Sequence, residues 1–332
     1  MSRVQIPSGP WSITVTDTEE GDAADMLVSV IICTYDPAMY EHFLEAVESV
    51  QEQSYESVEL VIVVDGTESI FKRAQQRFDS QDNVLVSCNS ENIGVSASRT
   101  RGAELASGEV VAFMDDDAIA DSQWIATLAE QYSEKDVLAA GGRMTGKWID
   151  GRPRYLPEEF NWLVGVSFPN FARPGEEVRN TFESNISFRR DVFLNLGGYN
   201  PMFGPDAETY AHAEGAELGH RLQRTYDRGV VYVPEAVVAH KVFKWRTELP
   251  WLLKRAFWQG YSKRKMEQMV LSDVGAEERR YLRQLLAKSV ALRVVKLVRR
   301  PNLTTLTQLV SIGLLTATVG MGYGYGIIRP VT

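Results

Sequence analysis

Between Leu27 and Asp117 the chain alternates short apolar runs with stretches of helical periodicity, and this alternation restricts the fold more than any other feature. The apolar runs are Leu27 to Cys33, Val58 to Val64, Val84 to Ser87 and Glu109 to Asp115. Continuous runs rich in Val and Ile predict strands buried on both faces. After the first, Tyr40, Phe43, Leu44, Val47 and Val50 recur at helical spacing as far as Gln53. Polar helices are predicted through about Phe78 and Ala106, and a further one from near Asp121. Such alternation calls for a parallel α/β sheet with right-handed connections, whose ligands sit beyond the carboxyl ends of the strands. The residues at those ends are Thr34, Tyr35 and Asp36, then Asp65, then Asn92 and Gly94, then Asp115, Asp116 and Asp117. They converge on one rim.

Three adjacent aspartates repel one another, so they tolerate proximity best where solvent or a divalent cation offsets the charge. One reading is a metal or nucleotide site; the other is a solvated acidic turn ahead of a helix, whose dipole favours acids in its first turn. Polar partners at every neighbouring strand end favour the site. A solvated turn does not predict them.

The middle of the chain is less regular. Val137 to Met144 reads as a strand, and the aromatic, proline-rich stretch from Gly146 to Pro174 as a long excursion suited to a lid or an acceptor surface. Glu183 to Phe188 reads as a short strand leading to a helix that stops at Gly197 and Gly198. A loop through Phe203 to Asp206 precedes a helix opened by the stretch Ala213 to Leu222, and two short runs, Val230 to Val233 and Ala236 to His240, close the unit.

The net charge of -9 argues against a phosphate-driven nucleic-acid binder, which would carry a basic face. Cys33 and Cys88 are too few for a disulfide scaffold and read as reduced, buried thiols. No signal peptide is visible in the polar stretch from Met1 to Asp25. From Pro250 the pattern turns helical and basic, with Trp251, Leu252, Arg255 and Trp258 on one face and Lys263, Arg264 and Lys265 following. Arg293, Lys296, Arg299 and Arg300, set among valines and leucines, suggest a segment attracted to anionic lipid, or a solvated basic helix. Leu303 to Ile328 is apolar and long enough to cross a bilayer as a membrane-embedded helix; a buried or re-entrant hairpin is the other reading. The excess of Lys and Arg before Leu303 puts the bulk of the chain on the cytoplasmic side of a cell membrane. The expected organisation is a leader over 1–26, an α/β domain over 27–245, a basic amphipathic segment over 246–302 and a membrane-embedded segment over 303–328.

Across Val28 to Val242 these motifs resemble the inverting GT-A glycosyltransferases of family 2. Val30-Ile-Ile-Cys-Thr34-Tyr35 is similar to the family's first strand and base-contacting loop, and Asp65 to its uracil-binding aspartate. Asn92-Ile-Gly94 with Arg99 resembles its Asn-x-Gly…Ala-Arg-Asn signature, with Thr100 in place of the last asparagine. Phe113-Met-Asp115-Asp116-Asp117 resembles the Asp-x-Asp motif, which implies Asp115 at the ribose and Asp117 at the metal. Asn185 to Arg190 before Gly197-Gly198-Tyr199 resembles the acceptor-side segment, and Val233-Pro234…His240 the ending whose histidine can reach the metal. The resemblance implies a GT-A (Rossmann-like) mixed sheet flanked by helices, a divalent cofactor (Mn²⁺ or Mg²⁺), and Thr34, Tyr35, Asp65, Asn92, Arg99, Asp115 and Asp116 at the UDP-sugar donor. It places Asp117 and His240 on the metal.

The family's usual base is the aspartate of a Glu-Asp pair, but here the pair reads Glu214-Gly215. Glu214, Glu217, Asp206 and Glu208 are the available substitutes; Glu214 is favoured as adjacent to the vacancy, while Glu217 matches the family's second acid or holds the helix start. The Gln-x-x-Arg-Trp motif of processive synthases is absent; Phe257 to Lys263 has a different order, which implies transfer of a single sugar. The overall string is similar to family members of archaeal dolichol-linked protein N-glycosylation. That implies a hexosyltransferase moving glucuronic acid from UDP-glucuronate to a dolichyl phosphate-linked glycan, with Arg99, Arg143 or Arg179 available to a donor carboxylate. The departure at Gly215 leaves open a non-catalytic sugar-nucleotide-binding partner of another membrane transferase. A sugar-1-phosphate nucleotidyltransferase needs a glycine-rich phosphate loop after the first strand, and Cys33-Thr34-Tyr35-Asp36 offers none.

Overall fold

The four β-branched runs form β1 (Val28–Thr34), β2 (Val58–Val64), β3 (Val84–Cys88) and β4 (Val110–Asp115), paired in parallel in the order β3-β2-β1-β4. The structure is a computed structural model and describes residues 26–204, 213–269 and 276–329. Asp206 and Glu208 therefore lie outside the described residues, as does nearly all of the polar leader. Val30, Ile31 and Ile32 of β1 are essentially inaccessible because both faces of the strand are covered. Each such side chain contributes about 1.5–3 kcal/mol of burial. The covering helices are α1 (Tyr40–Gln51), α2 (Glu68–Phe78) and α3 (Val95–Leu105). Tyr40, Phe43, Val47 and Val50 make the buried stripe of α1 that their spacing predicts.

Past β4 the sheet becomes mixed. β5 (Ala118–Ala120) directly follows the acidic triplet, and α4 (Trp124–Gln131) starts three residues after Asp121. Next come β6 (Ala139–Trp148), β7 (Glu177–Val178), β8 (Ile186–Arg189), α5 (Arg190–Asn195) and α6 (Glu214–Tyr226). The two short runs after α6 are one strand, β9 (Val230–Val242), with a bulge in its parallel pairing to β6 opposite Gly142 and Arg143. The strand order is β3-β2-β1-β4-β8-β6-β9-β5, with β7 pairing β9. β8 runs antiparallel to both β4 and β6.

Asn185 holds the bulge. Its amide donates to Ala236 O (2.9 Å) and Arg143 O (3.1 Å) and accepts from Trp124 Nε1 (2.8 Å) and Gly142 N (3.2 Å). The acceptor-side resemblance had singled out this residue; here it is fully buried and satisfies backbone groups that the irregular pairing leaves open.

The C-terminal helices are α7 (Lys244–Thr247), α8 (Leu249–Met269), α9 (Ala276–Gln284), α10 (Ala291–Arg299) and α11 (Leu303–Ile328), with a π-helical turn over Leu285–Val290. A separate core joins Leu156, Phe160 and Val164 of the aromatic excursion to Leu252, Leu285, Ile312 and Leu315. The excursion is therefore the floor on which these helices rest. α8 and α11 touch backbone to backbone: a β-carbon at Gly260 would stand 1.9 Å from Val319 O, and one at Gly322 1.8 Å from Phe257 O. The opposite face of α11 is apolar and open, with Leu303, Val310, Met321 and Ile328 all exposed.

Candidate active site

β5 builds the site. Its antiparallel pairing sets Ala118 opposite His240 of β9, and Lys241 N donates to Asp117 O (2.9 Å). Asp117, at the end of one strand run, is thereby locked beside a histidine 123 positions later. One ligand atom from each of Asp115, Asp117 and His240 lies within 4.8 Å of the others.

His240 Nδ1 is 2.9 Å from Val164 O, so it carries the proton and Nε2 is left as the atom facing the acids. That nitrogen is 3.2 Å from Asp117 Oδ1. Arg246, which the sequence reading did not single out, spans the pair: one guanidinium nitrogen is 2.8 Å from Asp117 Oδ2 and another 2.9 Å from His240 Nε2. A cationic group thus already rests on two of the three donors. Two hard carboxylates and an imidazole whose second nitrogen is anchored fit a divalent ion such as Mn²⁺ or Mg²⁺.

Asp116 points elsewhere. Burial and the neighbouring charge of Asp117 push its carboxyl up to about 7, while Thr34 at the end of β1 works the other way. The Asp65 carboxylate shapes the adjacent loop by accepting from Asn89 Nδ2 (2.8 Å), Ile93 N (2.9 Å) and Gly94 N (2.9 Å). Asn92, in that loop, accepts from Gly94 N and is exposed. Tyr35 is 58% exposed at the same rim, and its carbonyl accepts from the Thr67 hydroxyl.

Behind the rim lies a buried polar cluster. Arg99 of α3 binds Asp115 Oδ1, approaches Glu214 Oε1 at 3.8 Å and lies over the Tyr199 ring, its carbon 5.7 Å from the centroid. Burial, the largest single influence, disfavours its charge, but Asp115 together with Tyr199, Glu214 and Glu183 outweighs it and the pKa is raised. Thr100, standing where the family usually has asparagine, accepts from Tyr199 N (3.0 Å) and donates to Ser96 O (3.0 Å). It thus ties α3 to the Gly197-Gly198-Tyr199 turn. Glu214 at the first position of α6 is 3% exposed, and its Oε2 is sealed without a partner. Burial, then the charge of Glu183, pushes its carboxyl up to about 8. Glu217 grips Arg221 with both oxygens (2.8 and 2.7 Å), and Arg221 in turn donates to the carbonyls of Leu196 and Gly198. Glu217 is thereby committed to holding the turn after α5. Arg179 pairs with Glu278 (3.1 Å), whereas Arg143 is exposed.

Because the Glu214 pKa rises from an ordinary 4.5 to about 8 on folding, the folded state holds this proton more tightly than the unfolded state. Its stabilising effect is complete below about 4.5 and is lost as pH climbs through 8. Glu214→Gln is therefore expected to unfold with wild type at pH 5 but at higher temperature than wild type at pH 9. Identical melting differences at the two pH values would contradict the buried, protonated state.

The fold and this acidic centre define the class. Residues 29–197 match the glycosyl transferase family 2 model, and the chain belongs to that family. Among characterised relatives, it is 46% identical over 306 residues to glucosyl-dolichyl phosphate glucuronosyltransferase of Haloferax volcanii, covering 92% of this chain and 97% of that one. It is 29% identical over 204 residues to glycosyltransferase AglE of the same organism, covering 60% of this chain and 64% of that one. In fold it is similar to the mannosyltransferase PcManGT of Pyrobaculum calidifontis, solved with GDP-Man and Mn²⁺. The TM-score is 0.58 at 18% identity, over 90% of this chain and 87% of that one.

The sequence reading named the acids of the rim and His240 but gave no role to Arg246, Glu183 or Tyr199. Arg246 carried one signal, its place six residues after His240. Glu183 carried none that is local.

Proposed function

We propose that the chain transfers one glucuronic acid residue from UDP-glucuronate to a dolichyl phosphate-linked saccharide in protein N-glycosylation, at the cytoplasmic face of a cell membrane. The observation that carries this reading is the convergence of Asp115, Asp117 and His240 in a family 2 chain nearly half identical, end to end, to an enzyme so named. Asp117 and His240 hold the cation, which when bound supplies positive charge against the departing diphosphate. Thr34, Tyr35, Asp65 and Asn92 border the nucleotide, and Asp115 and Asp116 face its ribose side. Arg99 keeps Asp115 oriented, and Arg246, which rests on both Asp117 and His240, would supply a guanidinium for the diphosphate where a cation took its place on them. A carboxylate beside α6, in the Glu214 cluster, accepts the proton of the acceptor hydroxyl.

A panel of UDP-sugars offered with glucosyl-dolichyl phosphate tests this. Transfer from UDP-glucuronate above all other donors is expected. Tight UDP binding without transfer from any donor would establish instead the non-catalytic partner that the missing acid at Gly215 suggests.

The lipid acceptor accords with the open apolar face of α11 and the Lys and Arg of α10 next to it. The second half of α11 is bonded to charged and polar groups of α8: Tyr323 donates to Glu267, itself paired with Arg264 (3.2 Å), and Gln268 donates to Gly326 O (3.2 Å). These groups favour a helix seated along the membrane surface over one crossing it alone. Placing glutamates at both Val310 and Leu314 is expected to weaken partitioning onto anionic vesicles at least about tenfold while leaving UDP binding intact. Unchanged vesicle binding would move the contact to another face.

A further inference from the structure

We propose that the proton-accepting carboxylate of the transfer is Glu183, delivered from the segment before β8 into the space that a side chain at residue 215 would fill. The proposal rests on the transferase reading above and names its base. A β-carbon built on Gly215 would lie 2.0 Å from Glu183 Oε1 and 2.9 Å from its carboxyl carbon. A side chain at 215 would require the Glu183 carboxylate to leave its place. Gly215 N, an amide in the first turn of α6 with no helical partner, donates to Glu183 Oε1 (3.1 Å), so the helix start holds this carboxylate as it would a bound anion.

The surroundings suit a base and select it over its neighbours. Ser184, next in sequence, accepts the Asp115 amide at its Oγ (2.9 Å), which ties Glu183 to the end of β4 that carries the metal acids. Arg99 from α3 and Arg255 from α8 face it with positive charge and Asp115 with negative charge, and the buried Glu214 carboxyl lies beside it. Burial raises its pKa, with Arg99 opposing. Glu214 is nearly inaccessible and one of its oxygens is sealed, and Glu217 spends both oxygens on Arg221. Glu183 is the more exposed member of the pair with Glu214. Glu214 then acts as a positioning residue, its carboxyl 3.8 Å from the Arg99 guanidinium that faces Glu183.

In the step itself the acceptor oxygen forms its bond to the anomeric carbon as Glu183 takes the hydroxyl proton. The bond from that carbon to the β-phosphate oxygen breaks, and its electron pair leaves with UDP. Glu183 afterwards releases the proton to solvent, so that sugar-UDP and alcohol yield glycoside, UDP and one proton.

Glu183→Gln keeps an oxygen for the Gly215 amide but cannot accept the proton. It is expected to lower kcat by about 10³-fold while the KM for UDP-sugar and the affinity for UDP with Mn²⁺ stay within about threefold. The decisive variant moves the acid: Glu183→Ala combined with Gly215→Asp is expected to turn over at least about tenfold faster than Glu183→Ala alone. Gly215→Asp by itself meets the Glu183 carboxylate and is expected to lose activity. Wild type in the same assay separates the two readings, since its failure to transfer overturns the proposed function. Wild-type transfer with Glu183→Gln retaining kcat within about threefold overturns this proposal alone. So does a double variant that binds UDP normally yet is no faster than Glu183→Ala.

Discussion

Asp117→Ala is expected to lower transfer by about 10³-fold and to abolish Mn²⁺ binding, measured by titration calorimetry on the same preparation. Among the clustered donors, Asp117 is the carboxylate bonded to both His240, at 3.2 Å, and Arg246, at 2.8 Å. Its removal leaves one carboxylate, Asp115, already engaged by Arg99, and one imidazole. Neither retains the charge that attracts a divalent ion into a site next to a guanidinium. The fold should tolerate the change, because the tie between β5 and β9 runs through the Asp117 carbonyl, which alanine keeps. Turnover and Mn²⁺ affinity within about threefold of wild type would remove Asp117 from the metal.

Arg99→Met is expected to cost about 3–5 kcal/mol of stability, read from the midpoint of denaturant unfolding. Arg99 is 5% exposed, and its guanidinium faces Asp115, Glu214 and Glu183 together. Methionine fills much of the volume but leaves these acids without their shared cation, and an uncompensated buried charge costs more than the pair contributes. Lysine at this position should recover only part of the loss, since one ammonium cannot present two separated N–H groups to Asp115 and Glu214. A methionine variant within about 1 kcal/mol of wild type would show that Arg255 alone balances the cluster.

The parallel half of the sheet was legible because its signals are local. Val30 to Ile32 and the stripe from Tyr40 to Val50 declare strand and helix through spacing alone, and the polar strand ends follow from topology. Asp115, Asp117 and His240 were legible through family motifs, and the structure explains their meeting through β5, too short at three residues to announce itself in periodicity. Other parts depend on contacts between distant positions. Asn185 reads as part of an acceptor-side signature, and its role as a bulge staple is not legible because the groups that it satisfies come from three separate segments, α4, β6 and β9. Glu217 reads as the family's second acid or as a residue holding the helix start, and Arg221, one helical turn on, takes both its oxygens. Gly215 was visible as a departure. That Glu183 fills it follows only once two segments 32 residues apart are seen to share one space.

The most direct measurement is the yield of glucuronosylated lipid from labelled UDP-glucuronate and glucosyl-dolichyl phosphate, with the protein first stripped by EDTA and then resupplied with Mn²⁺. The account predicts no product from the stripped protein and full product on resupply. Equal product in both states would contradict a metal-dependent transferase built on Asp115, Asp117 and His240.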